Sequence, residues 1–212
     1  MSSLARLTRV GTPSLRQGAA LLALIVMPAT ASAQLSTTRG WSFGAHLQGT
    51  SLTVEQGEAN AGSGLGLRAG YGFNRIVTGF VHVDGGRIEV PGDEEIVGDW
   101  NLAHAELGAR FHFANSLRRW VPYVETSVGA RAVTVDNPQV DGQPVDRLSF
   151  NGGAFTLGAG LSTFVSKTLA IDVSLKFTGG RFTEVDVGDF TARTLDVDAS
   201  STRFGIGVIW WP

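Results

Sequence analysis

Large apolar side chains alternate with small or polar ones at a period of two from Arg39 to the end of the chain. This is the pattern of a β-strand whose two faces meet different surroundings. In the run 64–74, Leu65, Leu67 and Tyr71 share one face, while glycines and Arg68 occupy the other. Eight such runs are long enough to cross a bilayer as tilted strands of about 9 to 11 residues, at approximately 40–53, 64–74, 76–86, 99–113, 121–134, 151–165, 168–178 and 198–211. The alternation therefore predicts an all-β fold, an eight-stranded antiparallel up-and-down transmembrane β-barrel.

The connections between these runs also alternate in length. Short turns near 74–75, 114–119 and 166–167 take turns with long segments near 54–63, 87–98, 135–150 and 179–197. The long segments and their edges hold fifteen acidic residues and four arginines, whereas the short turns hold basic residues and no acid. Outer-membrane barrels have short periplasmic turns and long extracellular loops, so the four acidic loops are expected to face outward. We interpret their charge as a solvated surface; divalent cations bridging the loops to lipopolysaccharide phosphates are the alternative.

The first 33 residues have the composition of a secretory signal peptide. Three arginines precede an apolar run at 19–27, and Ala31-Ser32-Ala33 provides a small-residue cleavage site. The apolar run is far shorter than the ~20 residues of a membrane-spanning helix. We therefore predict a signal peptide at 1–33 that directs export, and one outer-membrane barrel domain at 34–212.

The composition excludes several classes of function. The chain contains no cysteine, which rules out disulfides, thiol chemistry and thiolate metal sites. Three of the 17 basic residues lie in the predicted signal peptide, which leaves 14 against 19 acidic residues. Nucleic-acid binding requires clustered basic surface, so no nucleic-acid partner is expected.

The volume of the two faces indicates which one lies inside. An eight-stranded barrel is just wide enough for side chains to fill, and the apolar face is too bulky for that space. The opposite face is rich in glycine and carries five cations and four carboxylates, a near balance that predicts a paired charge network in the lumen: Arg68, Asp84, Glu106, Arg110, Glu125, Arg131, Asp172, Lys176 and Arg203. We expect a plugged barrel. A narrow small-solute channel and a soluble, lipocalin-like carrier of an apolar ligand are the alternatives.

The histidines give little indication of catalysis. His46, His82, His104 and His112 all fall on the expected lumen face, on three strands and without the short spacing of a metal site. His82 and Asp84 resemble a base and its orienting carboxylate, but no nucleophile accompanies them. We predict no enzyme activity, no cofactor and no metal site.

Aromatic side chains gather near the short-turn end of the runs. They are Trp41, Phe113, Trp120, Trp210 and Trp211. Amphipathic rings settle at the depth of the lipid headgroups, so we predict an aromatic girdle at the periplasmic interface.

The last run resembles the carboxyl-terminal assembly signal of the eight-stranded outer-membrane β-barrel proteins, the family of the OmpA transmembrane domain, OmpX and the opacity proteins. The signal has a polar residue, a glycine, a hydrophobic residue and an aromatic residue at fixed spacing, and Arg203, Gly205, Val208 and Trp210 fill these places. Family members usually end on the aromatic residue, whereas Trp211 and Pro212 follow here and are expected to overhang on the periplasmic side. The resemblance implies the bacterial outer membrane as location, with its lipid, its lipopolysaccharide and the barrel assembly machinery as partners. We further predict a monomer with a structural or surface-interaction role that acts through its four loops.

Overall fold

The computed structural model describes residues 38–55, 57–89, 96–113, 119–140, 143–144, 148–187, 190–193 and 196–212. The predicted signal peptide lies outside these residues. The described chain forms the strands β1 (Gly40–Val54), β2 (Asn60–Gly72), β3 (Val77–Ile88), β4 (Ile96–His112), β5 (Trp120–Val140), β6 (Gln143–Pro144), β7 (Leu148–Phe164), β8 (Leu169–Val187), β9 (Phe190–Ala192) and β10 (Val197–Trp210). Within the same ranges, no helix has the length and apolar character needed to cross a membrane.

The eight long strands close into a barrel. Antiparallel pairing runs from β1 through β2, β3, β4, β5 and β7 to β8. The last strand, β10, pairs with both β8 and β1, and its Trp210 stands opposite Leu169 on one side and Phe43 on the other. The short strands β6 and β9 extend the sheet beside β5 and β8. The predicted eight-stranded antiparallel up-and-down barrel is confirmed.

Several strands are longer than the sequence predicted. β5 continues to Val140 and β8 to Val187, while β2 begins at Asn60 and β4 at Ile96. The predicted loops were correspondingly too long. Most outward positions in these extensions carry small or polar side chains, so the apolar alternation fades there. Backbone pairing between strands continues because it does not depend on that alternation.

The large apolar side chains cover the outside of the barrel. Successive side chains of a strand point to opposite faces, and the exposed fractions of Leu47, Leu65 and Phe73 are 63%, 64% and 64%. A soluble carrier would instead bury such side chains around its ligand. The soluble-carrier alternative is therefore wrong, because the apolar face points away from the interior.

Side chains hold the tight turns at one end of the barrel. Asn74 Oδ1 accepts hydrogen bonds from the backbone of Ile76 (2.7 Å) and Val77 (2.8 Å). Ser166 Oγ accepts one from the backbone of Leu169 (3.0 Å). Asn and Ser commonly stabilise turns in this way. We call this the inner end, and the opposite end, where β1 meets β2, the outer end.

Candidate functional site

The structure buries all nine charged side chains of the predicted lumen network. Their exposed fractions are 7% or less, and they are Arg68, Asp84, Glu106, Arg110, Glu125, Arg131, Asp172, Lys176 and Arg203. Each has the same parity as the other buried positions of its strand. Since alternate side chains point to opposite faces, all nine lie on the inward face. Eight of them form ion pairs with one another, and Arg131 does not.

Glu125 is the centre of the inner part of this network. Its carboxylate accepts hydrogen bonds from Arg68 Nη1 (2.8 Å) and Arg110 Nε (2.9 Å), and Lys176 Nζ lies 3.4 Å away. Arg110 also donates through Nη1 to Asp172 (3.1 Å). Three cations thus share the buried Glu125 carboxylate, and Arg110 has Asp172 as a second partner. Their mutual attraction offsets the cost of removing these charges from water.

Asp172 connects the same cluster to two further strands, β7 and β1, and contacts β5 a second time. Tyr123 Oη (2.8 Å) and Ser162 Oγ (2.6 Å) donate hydrogen bonds to its carboxylate, and His46 Nε2 lies 3.2 Å away. The Arg110 guanidinium stacks over the Tyr123 ring, 3.5 Å from the ring centroid. Asp172 is 0% exposed, yet both of its oxygens have partners.

Arg203 is the centre of the outer part of the network. Its guanidinium pairs with Asp84 and Glu106 and donates a hydrogen bond to Thr178 Oγ1 (2.7 Å). Thr156 Oγ1 donates to Glu106 (2.8 Å). These contacts join β10 to β3, β4, β7 and β8 across the interior, so the network links strands that are not neighbours in the sheet.

Two of the histidines belong to the outer part of the charged network. His82 Nε2 and His104 Nδ1 lie 3.0 and 2.9 Å from the Asp84 carboxylate. His112 lies nearer the inner end, where its ring packs edge-on against the Tyr123 ring, 6.1 Å from centroid to centroid. Among the described residues, no group of three or more histidines and acids has an arrangement that would hold a metal ion.

Little empty space remains between the charged side chains. A cavity lined by Arg68, Arg110, Lys176 and Arg203, among others, has a volume of about 10 Å³. That is about the space of one water molecule. The fit depends on glycine at Gly158, because an added Cβ there would lie 3.0 Å from Glu125 Cγ and 3.2 Å from Lys176 Cγ.

Apolar clusters lie inside the barrel at both ends of the charged network. They were not predicted from the sequence. The outer cluster consists of Leu52, Ile88, Leu102, Val133, Phe182 and Ala199, and the inner cluster of Val121, Phe164, Ala170, Ile209 and Trp211. Each of these residues has the same parity as the buried polar positions of its strand. That shared parity was the available signal, but only small or polar residues were expected on the inward face.

Four of the five predicted girdle aromatics lie on the outer surface. Trp41, Phe113, Trp120 and Trp210 are 60%, 65%, 65% and 49% exposed. The prediction for Trp211 was wrong, because this side chain is 3% exposed.

Trp211 continues the inward parity of β10 beyond the end of that strand. Its backbone N–H donates to Thr168 O (2.7 Å), and its ring packs 5.0 Å from the Phe164 ring, centroid to centroid. It is therefore not part of a periplasmic overhang, and it closes the inner end of the barrel instead.

The four residues of the predicted assembly signal divide between the two faces of β10. Arg203 is 1% exposed and Gly205 is buried, while Val208 and Trp210 are 47% and 49% exposed. One face of the signal thus enters the charged network and the other covers the outside.

The acidic outer segments are only partly within the described residues. Six of the acidic residues lie outside them, namely Asp93, Glu94, Glu95, Asp141, Asp146 and Asp189. In the described part, Arg181 lies beyond the predicted run 168–178 and pairs with Asp196 (3.1 Å) and Asp198 (2.7 Å). The hydrogen bond that Arg181 donates to Asp198, together with the charge of Asp196, raises the pKa of Arg181.

Comparisons with known proteins agree with this architecture. Residues 19–209 match the family described as outer membrane protein beta-barrel domain. No curated protein sequence matches the chain. Among solved structures, Neisserial surface protein A superimposes with a TM-score of 0.60 at 15% identity, over 81% of this chain and 96% of that chain.

Two further solved structures are similar. Ail, the attachment invasion locus protein of Yersinia pestis, has a TM-score of 0.52 at 17% identity, over 81% of this chain and 99% of its own. The outer membrane protein OprG from Pseudomonas aeruginosa has a TM-score of 0.55 at 11% identity, over 84% and 98%. At such low identity these likenesses concern the fold alone.

Proposed function

The chain belongs to the outer membrane protein beta-barrel family, and we propose that within this family it is a plugged, non-enzymatic barrel with a structural or surface-interaction role. The family places it in the bacterial outer membrane. Its outward apolar face suits direct contact with lipid and lipopolysaccharide. We propose that it acts there as a monomer and presents its acidic outer segments to the surroundings.

One observation supports the proposal that the lumen is plugged. The paired side chains around Glu125 and Arg203 span the interior, and the cavity between them has room for about one water molecule. Conducting barrels are wider, with about 16 strands around an aqueous channel. The filled interior therefore favours a scaffold role over the alternative of a narrow channel.

Recording of ionic current through the purified barrel in a planar bilayer tests this proposal. We expect no stepwise conductance from the protein, while a porin added to the same bilayer serves as the positive control. The inserted protein must also show heat-modifiable migration on a gel, which reports that it is folded. Reproducible unitary steps from folded protein would refute the plug.

Export and assembly complete the proposal. We propose that residues 1–33 direct Sec-type export and that cleavage follows Ala33. We further propose that the barrel assembly machinery recognises Arg203, Gly205, Val208 and Trp210. The position of β10, which pairs with both β1 and β8, supports this role because such a strand closes the barrel. Mass spectrometry of protein from outer membranes should find Gln34 at the amino terminus, and a retained leader would contradict the predicted cleavage.

A further inference from the structure

Arg131 is the exception in the charged interior. It is 1% exposed, and among the described residues no carboxylate lies within ion-pairing distance of its guanidinium. Nη2 donates to Ala199 O (3.1 Å), whereas Nε and Nη1 have no hydrogen-bond acceptor within the described part of the chain. A buried cation without a counter-charge is costly, and the four lumen carboxylates all serve other cations.

An apolar cavity lies beside this cation, at the outer end of the barrel interior. Its volume is about 250 Å³, and its walls include Leu52, Ile88, Trp100, Val133 and Phe182. A dry cavity of about 150 Å³ holds a benzene molecule. The volume therefore suits one aromatic ring or one medium-length acyl chain, and it is too small for a two-chain lipid.

Two wall residues connect the cavity to Arg131. The Arg131 guanidinium lies over the Phe182 ring, 4.7 Å from the ring centroid. Val133 lies two positions along β5, on the same inward face as Arg131. The Phe182 ring thus contacts the Arg131 guanidinium and also forms part of the cavity wall.

We propose that the outer end of the barrel binds a small amphipathic carboxylate. Its apolar body occupies the cavity, and its carboxylate pairs with Arg131. The ligand supplies the counter-charge that none of the described side chains provides, and a hydrogen bond between ionised partners is stronger than a neutral one. The inference extends the scaffold role proposed above and does not depend on whether the lumen conducts, which bilayer recording tests separately.

Saturable binding of octanoate to the full barrel in lipid nanodiscs tests the site, with empty nanodiscs measuring partition into lipid. The neutral analogue octanol reports the apolar cavity alone. We expect Arg131→Gln to weaken octanoate binding by about tenfold or more, since it removes the charge-assisted contact, and to leave octanol binding unchanged. The matched control is Arg181→Gln, which removes the same charge from an exposed position and should change neither ligand.

A second variant addresses the cavity without altering the charge. Val133→Phe fills the space between the walls and should abolish saturable binding of both ligands in folded protein, as judged by heat-modifiable migration. Absence of saturable octanoate binding to the unaltered barrel would overturn the proposal. Equal octanoate affinity in Arg131→Gln would overturn the assignment of the carboxylate partner.

Discussion

The middle of the barrel interior and its outer end are built on the same strands but differ in how charge is treated. On β5, Glu125 and Arg131 both point inward and are 3% and 1% exposed. Glu125 pairs with three cations, whereas Arg131 forms no ion pair with a carboxylate of the described residues. Burial alone therefore does not identify a structural charge, and the presence of partners distinguishes the two regions.

The neighbouring residues explain this difference. In the middle, Gly158 leaves room for long side chains from facing strands to meet. At the outer end, Leu52, Val133 and Phe182 take the inward positions and offer no counter-charge. Every charge in the middle therefore has an ionised partner, whereas the outer end combines a cation that pairs with no carboxylate of the described chain with an unfilled apolar space.

The largest effect is expected when the middle loses its central carboxylate. Glu125→Gln leaves Arg68, Arg110 and Lys176 without an ionised partner at that position, and breaking a buried ion pair costs about 3–5 kcal/mol. The free energy of unfolding, from urea titration in lipid vesicles followed by tryptophan fluorescence, should fall by that amount. Arg131→Gln should change it by about 1 kcal/mol or less, since removal of an unpaired buried charge offsets the lost hydrogen bond to Ala199 and the lost contact with the Phe182 ring. Equal losses would remove the distinction between the regions.

A substitution in the inner apolar cluster measures how much that end of the interior contributes to the free energy of unfolding. Trp211→Ala removes a buried ring from its contact with Phe164 and should lower the unfolding free energy by about 3 kcal/mol. Trp120→Ala is the matched control, because Trp120 is 65% exposed. Its loss should be clearly smaller under the same titration. The reverse order would mean that Trp211 does not close the inner end.

A smaller effect is expected from crowding in the middle. Gly158→Ala places a methyl group against Glu125 and Lys176 and should destabilise the barrel by about 1–3 kcal/mol. Gly179→Ala is the control, because an added Cβ at that position meets no atom within 4 Å. Both variants can be compared by their urea midpoints. An unchanged midpoint for Gly158→Ala would show that the middle is less tightly packed than described.

The smallest effect is expected outside the barrel interior. Arg181 pairs with Asp196 and Asp198, but all three side chains are exposed, and exposed ion pairs contribute little. Arg181→Gln should leave the urea midpoint unchanged at physiological salt. A clear decrease that persists at high salt would show that this pair stabilises the outer end.

Much of the barrel follows from period-two alternation, which is a local property of the sequence. Parity alone separates inward Arg203 from outward Phe204. Which charges pair does not follow from parity, because Arg203 meets Asp84 and Glu106 only after the closed sheet sets β10 against distant strands. The inward position of Trp211 was also missed, since its backbone continues the pairing after β10 ends. The outer cavity depends on side chains from several strands, and no local pattern reveals it.

The central claim is that the apolar face of each strand contacts lipid and the polar face fills the interior, and labelling one residue on each face of β8 tests it most directly. The chain has no cysteine, so Ser174→Cys and Leu175→Cys each provide a single thiol, which can be labelled with a fluorophore in the unfolded protein before refolding into vesicles of brominated lipid. We expect labelled Leu175→Cys to fold and bromine to quench its fluorescence. Labelled Ser174→Cys should not fold, because its label must enter the filled interior. Folding and quenching of the Ser174 label, with failure of the Leu175 label to fold, would show that the apolar face points inward.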